Sequence, residues 1–309
     1  MLVFHKTYKD RDFHIFLENV SLHLQKYYGA ILVEPTNSGN GNYVTIKDIS
    51  VNILDCELAI YDQDTDILKA ISFSDMRSNL CGHMLERNKE TDLLLCSQQS
   101  CADIWAKESK LEIVDSIYIP CHPHISYDDL YIKRSLTKEF VDQMIFRGNV
   151  NDAKRGSVKY LENNQYFSGH EQIEKKEYLE ELTKYKIGLS VPGIGELCYR
   201  DVEYLAVGIP MLRFEYLVDM NPKLIPNYHY ISIPRIDCEY TLKNKSYIAV
   251  TKEREGGQKY AEEYLKRFME IKEDRDFLDF VSKNGRDYYC NYLQPSKRID
   301  HVLKLLKIN

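Results

Sequence analysis

Hydrophobic positions along the chain fall into two rhythms, short unbroken apolar runs and longer stretches with apolar residues every three or four positions, and the two alternate. In the first half, "MLVFHK" predicts a strand, "DFHIFLENVSLHLQKYYG" a helix closed by Gly29, and "AILVE" a second strand, giving a β-α-β opening. "YVTIKDISVNI", "ELAIYD", "ILKAISFSD", "TDLLLCSQ" and "EIVDSIYIP" read as further strands after the turn cluster "SGNGNY". "DQDTD" at 62 to 66 fits a hairpin turn between two of them. Residues 135 to 143 read as a connector.

The second half is more regular. "QMIFRGN" is an apolar strand ending in a polar turn, "EKKEYLEELTKY" an amphipathic helix and "KIGLSVPG" a strand. "ELCYRDVEYLAVG" is a helix starting near Glu196 and closed by Gly208, and "IPMLRFEY" and "NYHYISIP" are strands. Strands alternating with helices imply a parallel sheet covered on both faces. From Gly256 the chain is helical and charged, with Pro295 interrupting it before "RIDHVLKLLK". The expected fold class is α/β, with two Rossmann-like domains facing a cleft and a helical C-terminal tail. The expected boundaries are 1–135 for a first domain, 136–294 for a second, and 295–309 for a last helix.

Composition narrows the function classes. A chain of 309 residues with 44% hydrophobic content can bury one large core or two ordinary ones. A net charge of −6 argues against a broad nucleic-acid footprint and leaves room for a local basic pocket around a small phosphate. No apolar run reaches the roughly 18 to 20 residues that span a bilayer, and the N-terminus lacks the pattern of a signal peptide, so the expected location is cytoplasmic. Eight cysteines include no Cys-x-x-Cys pair, and "CHPH" at 121 to 124 finds no partner at a familiar metal spacing. No metal and no cofactor are expected.

The candidate chemistry lies in two loops that follow apolar strands, where open parallel sheets bind their ligands. In "FRGNVNDAKR", Arg147 and Arg155 flank Gly148 and Asn149, so two guanidinium groups and turn N–H groups can converge on a phosphate. The other reading of Arg147 is an ion pair with a carboxylate. In "SVPGIGELCYRDVEYLAVGIPML", Gly193 and Gly195 form a tight turn, and the start of the following helix favours an anion. Arg200 can reach a diphosphate while Glu203, three positions on, accepts from ribose hydroxyls; the plainer alternative is a surface ion pair between them. Tyr199 is a stacking candidate and Glu196 has no assigned role. The third glycine of the dinucleotide fingerprint is missing.

These segments resemble the nucleotide-sugar-binding half of glycosyltransferases of GT-B architecture, and more nearly the protein O-glucosyltransferase and capsule-associated family. The likeness rests on Phe146, Arg147, Gly148, Gly193, Gly195, Arg200, Gly208, Pro210, His229 and Tyr230, with Arg155 as a second phosphate ligand. It covers residues 144 to about 235 and hardly touches the first 130. "EYLAVGIP" is also similar to the helix of retaining two-domain transferases whose acidic residue holds the donor ribose, and Glu203 takes that place. Those enzymes carry a second glutamate eight positions earlier, where this chain has Gly195, which counts against the retaining class.

The resemblance implies an inverting, metal-independent transferase with a UDP-sugar donor, glucose or xylose favoured, and a glycan or other hydroxyl acceptor. A base is then required from the first half, and Asp75 in "ISFSDM" leads, followed by Asp128, His122 and His124. The other reading of Asp75 is a helix cap or turn residue. The alternatives are a fucosyl- or other hexosyltransferase using a different nucleotide, and a nucleotide-sugar-binding module without catalysis. The sequence leaves the oligomeric state open.

Overall fold

A computed structural model describes residues 1–5, 12–32, 43–46, 49–52, 58–62, 67–72, 93–96, 112–116, 125–150, 155–192, 198–216, 222–235, 238–243, 246–251, 257–305 and 308. The first half contains strands β1 (Leu2–His5), β2 (Ile31–Leu32), β5 (Leu58–Asp62), β6 (Ile67–Ser72), β7 (Leu93–Cys96) and β8 (Glu112–Ser116) in one sheet, ordered β2-β1-β5-β6-β7-β8. Helix α1 (Asp12–Tyr28) joins the parallel pair β1 and β2, and Gly29 leaves it at φ 62°, the left-handed exit that glycine allows without strain. The sheet is mixed: β1 pairs antiparallel with β5 and β5 with β6, whereas β6, β7 and β8 run parallel. Asp62 lies opposite Ile67 at the end of the antiparallel ladder between β5 and β6, and residues 63 to 66 of the expected turn lie outside the described residues. "YVTIKDISVNI" is two antiparallel strands, β3 (Tyr43–Ile46) and β4 (Ile49–Asn52).

The second half begins with α2 (Tyr127–Ser135), a helix that the sequence reading leaves unassigned and that ends where the expected connector over 135 to 143 begins. Ser126 accepts the Asp129 N–H at 3.2 Å, acidic residues fill the first turn and basic ones the last. Strands β9 (Val141–Ile145), β10 (Tyr185–Leu189), β11 (Met211–Phe214) and β12 (Ile231–Ile233) form a parallel sheet ordered β12-β11-β10-β9. Between them come the short α3 (Gly156–Lys159), α4 (Lys175–Leu182) and α5 (Tyr199–Val207), and after them the antiparallel pair β13 (Cys238–Lys243) and β14 (Ser246–Thr251). Helices α6 (Gln258–Ile271) and α7 (Arg275–Tyr288) lead through a π turn (Tyr289–Leu293) into α8 (Pro295–Leu305). Pro295 opens α8, the helical position where its missing N–H costs no bond.

Alternation along the strands sends side chains to two apolar layers. Ile145 and Met211 pack with Leu130 of α2, Leu179 of α4, Leu205 of α5 and Tyr289. Met144, Ile187, Leu189, Leu212 and Phe214 pack on the other face with Tyr264 and Phe268 of α6 and Val158 of α3. Helices on both faces explain why these strands read as unbroken apolar runs. Gly188 of β10 faces α5, and a Cβ there would lie 2.8 Å from the Tyr204 ring, so the missing side chain makes room for the aromatic one. The Tyr204 hydroxyl sits 3.0 Å from the Ile145 carbonyl and 3.1 Å from that of Leu189, at the carboxyl ends of β9 and β10.

Candidate functional site

Because β9, β10 and β11 are parallel, their carboxyl ends share one edge, and the chains leaving Ile145 and Leu189 start there. The N-terminus of α5 is fastened to this edge through Asp201. Its Oδ2 accepts from the Arg213 Nη1 at 2.7 Å and from the Cys198 N–H at 3.1 Å, and its Oδ1 accepts from the Ser190 hydroxyl. Arg213 and Asp201 are almost wholly buried, so each neutralises a charge that water cannot reach. The helix starts at Tyr199 with Cys198 as its cap, three residues later than the start near Glu196 expected from the sequence. The expected start took Glu196 as the first helical residue, whereas it is the Cys198–Asp201 bond that closes the first turn.

Arg200, the second residue of α5, has the opposite circumstances. Its side chain is buried, with the guanidinium carbon 4.1 Å from the centroid of the Phe146 ring. One Nη donates to the Arg147 carbonyl, while Nε and the other Nη have no acceptor among the described residues. Arg155 reaches the same ring from the other loop, with its guanidinium carbon 5.4 Å from the centroid. It donates to the carbonyls of Asn149 at 2.9 Å and Val191 at 3.4 Å. Burial, and then the charge of Arg200, lower the Arg155 pKa from its ordinary value. Arg155 also holds a left-handed backbone at φ 61°, which costs a branched or long side chain about 1 kcal/mol.

Gly148 is where the two guanidinium groups converge. A Cβ there would stand 2.5 Å from the Arg200 Nη2 and 3.2 Å from the Arg155 Nη1, so a side chain at 148 would have to move both. Two like charges and the positive end of a helix thus meet at a strand edge, and no carboxylate among the described residues hydrogen-bonds either guanidinium.

The other expected residues are placed as follows. Arg147 makes the carboxylate pair that stood as its alternative, with Nε 2.9 Å and Nη2 3.2 Å from the two oxygens of Glu181 on α4, and a further bond to the Ser168 carbonyl. Asn149 contributes its backbone carbonyl, and Tyr199 is exposed. Glu203 is buried and pairs with Lys175 of α4 rather than with Arg200. Asp128 stands in the first turn of α2, bound to Arg286 of α7. His229 is half-buried and accepts the Ile225 N–H at Nδ1, 2.8 Å away. Asp75, His122, His124, Gly193, Gly195 and Glu196 lie outside the described residues. Sequence reasoning passed over Arg213, Asp201 and Lys175. A charged residue inside the apolar run "IPMLRFEY" was the available signal for the first, because a buried guanidinium requires a partner.

No known protein-family description matches the chain, and no curated protein matches its sequence. Among solved structures, the backbone aligns with the pneumococcal O-GlcNAc transferase GtfA in complex with UDP and GlcNAc at 10% identity and a TM-score of 0.47. That alignment covers 73% of this chain and 48% of GtfA, so the chain spans about half of that protein's length. HepE from Anabaena, in complex with UDP-glucose, aligns at 7% identity over 77% of this chain and 71% of its own, with a TM-score of 0.46. WaaG, a glycosyltransferase involved in lipopolysaccharide biosynthesis, aligns at 9% identity over 98% of this chain and 99% of its own, with a TM-score of 0.49. Among the described residues, no helix is long and apolar enough to cross a membrane, and no group of three or more His, Cys, Asp or Glu side chains is placed to hold a metal ion.

Proposed function

We propose that the chain is a glycosyltransferase that uses a UDP-sugar, glucose or xylose favoured, and transfers the sugar with inversion to a hydroxyl of a glycan or other acceptor. The observation that carries this reading is the pair Arg155 and Arg200, converging over Gly148 at the carboxyl edge of a parallel sheet with no hydrogen-bonded carboxylate among the described residues. A leaving nucleoside diphosphate supplies acceptors for the Arg200 donors that the described residues leave unused. In the transfer, the acceptor oxygen bonds to the anomeric carbon as the bond from that carbon to the diphosphate oxygen breaks. The diphosphate departs against the two guanidinium groups, and the acceptor proton passes to a carboxylate or imidazole base, for which Asp75 leads. With two fixed cations at the leaving group, the reaction proceeds without a divalent metal.

The test is thermal unfolding with UDP, GDP, NAD and inorganic phosphate, followed by slow hydrolysis of UDP-glucose and UDP-xylose in a chelating buffer. A nucleoside diphosphate at a hundred times its dissociation constant stabilises the native state by about 2.7 kcal/mol, a shift of several degrees. The proposal expects the shift with UDP, hydrolysis that survives chelation, and loss of hydrolysis in Asp75→Asn. No shift with any diphosphate rejects it.

A further inference from the structure

The pair Lys175–Glu203 is uneven in a way that the fold does not require. The Glu203 side chain is only 5% exposed, one turn along α5 from Arg200, whereas Lys175 is 38% exposed at the first position of α4. Lys175 sits at the positive end of its own helix, where a cation is disfavoured. What holds it is the Glu203 Oε1 and the Tyr178 ring, whose centroid lies 5.6 Å from the ammonium. Lys175 can swing into water at little cost. Glu203 cannot, and a buried carboxylate left without donors is destabilising. Whatever displaces the ammonium must therefore bring donors of its own.

We propose that Lys175 is a displaceable occupant of the Glu203 subsite, competing with the sugar hydroxyls of the ligand's nucleoside and so setting how strongly the site selects a nucleoside diphosphate over a bare diphosphate. This rests on the donor site proposed above at Arg155 and Arg200, with Glu203 in the ribose-binding place that the sequence resemblance gives it. A vicinal diol presents two O–H donors to one carboxylate, which replaces the hydrogen bonding that the ammonium supplied. Each ligand bearing the diol binds only the fraction of molecules in which Lys175 has moved away, so its apparent affinity is reduced by that fraction. A diphosphate lacking the sugar meets Arg155 and Arg200 and leaves the ion pair alone.

The experiment is calorimetric titration of the full chain with UDP, uridine and inorganic diphosphate, for the wild type, Lys175→Met, Lys175→Gln and Glu203→Gln. In Lys175→Met, affinity for UDP and uridine rises by about tenfold, the gain expected when a competing state of some 90% population is removed, while affinity for inorganic diphosphate stays unchanged. Lys175→Gln shows the same direction with a smaller gain, and keeps the test available where the methionine variant does not fold. Adding Lys175→Met to Glu203→Gln changes nothing, because the competition needs the carboxylate. Equal affinities for UDP in wild type and Lys175 variants overturn the inference and leave the donor site standing. Wild-type protein that binds none of the three probes overturns both.

Discussion

Asp201 accepts from Arg213, Cys198 and Ser190, whereas its neighbour Arg200 is also buried and keeps two donor atoms without an acceptor among the described residues. The two residues therefore respond oppositely to loss of charge. Asp201→Asn removes the carboxylate charge that Asp201 gives the buried Arg213 guanidinium and costs about 3 to 5 kcal/mol of unfolding free energy in denaturant titration. Arg200→Met retains packing over Phe146 and removes unsatisfied donors, so ligand-free stability is unchanged or higher while the UDP-induced thermal shift disappears. An Arg200→Met protein as destabilised as Asp201→Asn shows that the fold, and not a ligand, uses those donors. The arginines of the site were legible because each stands beside a glycine turn after an apolar run. That Arg147 pairs with Glu181 was not, since the partner lies on α4, and one-dimensional spacing does not say which carboxylate a helix brings back to a loop.

The far end of α5 shows how the helix is held while its first turn serves the site. The carbonyl of Gly208 accepts from Arg134 Nε at 3.0 Å and from the Ser282 hydroxyl at 2.6 Å, and Arg286 donates to the carbonyl of Ala206. Arg134 also reaches the carbonyls of Leu182, Tyr185 and Lys186, so one buried guanidinium ties the ends of α4 and α5 to the start of β10. Cations here complement the negative helix end, the reverse of the situation at Arg200. Arg134→Met strands several buried carbonyls and destabilises the protein by about 3 kcal/mol, and Arg134→Lys recovers only part of it, because an ammonium lacks the planar fork. A denaturation midpoint for Arg134→Lys equal to wild type would show that charge alone suffices. The helix carrying Arg134 was itself readable: Ser126, Asp128, Asp129, Lys133 and Arg134 are start and stop signals in order. They were obscured because Asp128 was weighed as a base instead of as a first-turn residue. The pair β13 and β14 was passed over although "CEYTLK" alternates apolar and polar residues, the period-two signal of a strand.

Over the whole chain, the parallel sheet was legible and the mixed one only in pieces. Strands buried on both faces are apolar throughout, and their alternation with helices gives the order of β9 to β12 directly. In the first sheet, β1 lies between β2 and β5, a pairing across a long stretch of chain that local pattern does not encode. The described apolar clusters of the second half draw on residues from Tyr127 to Leu293, with Tyr127 and Leu130 of α2 inside the layer that covers α5. A boundary at residue 136 cuts that layer, removing these two side chains together with Arg134 and its bonds to α4 and α5. A fragment of residues 125–309 is accordingly expected to unfold in one cooperative transition and to retain the UDP-induced shift. A fragment of residues 136–309, having lost about as much buried apolar surface as two large core truncations together with a buried guanidinium, is expected to be marginal or insoluble. Circular dichroism melts of the two fragments decide it. Equal cooperativity would show that α2 belongs with the preceding residues and that the arginines at the strand edge stand without it.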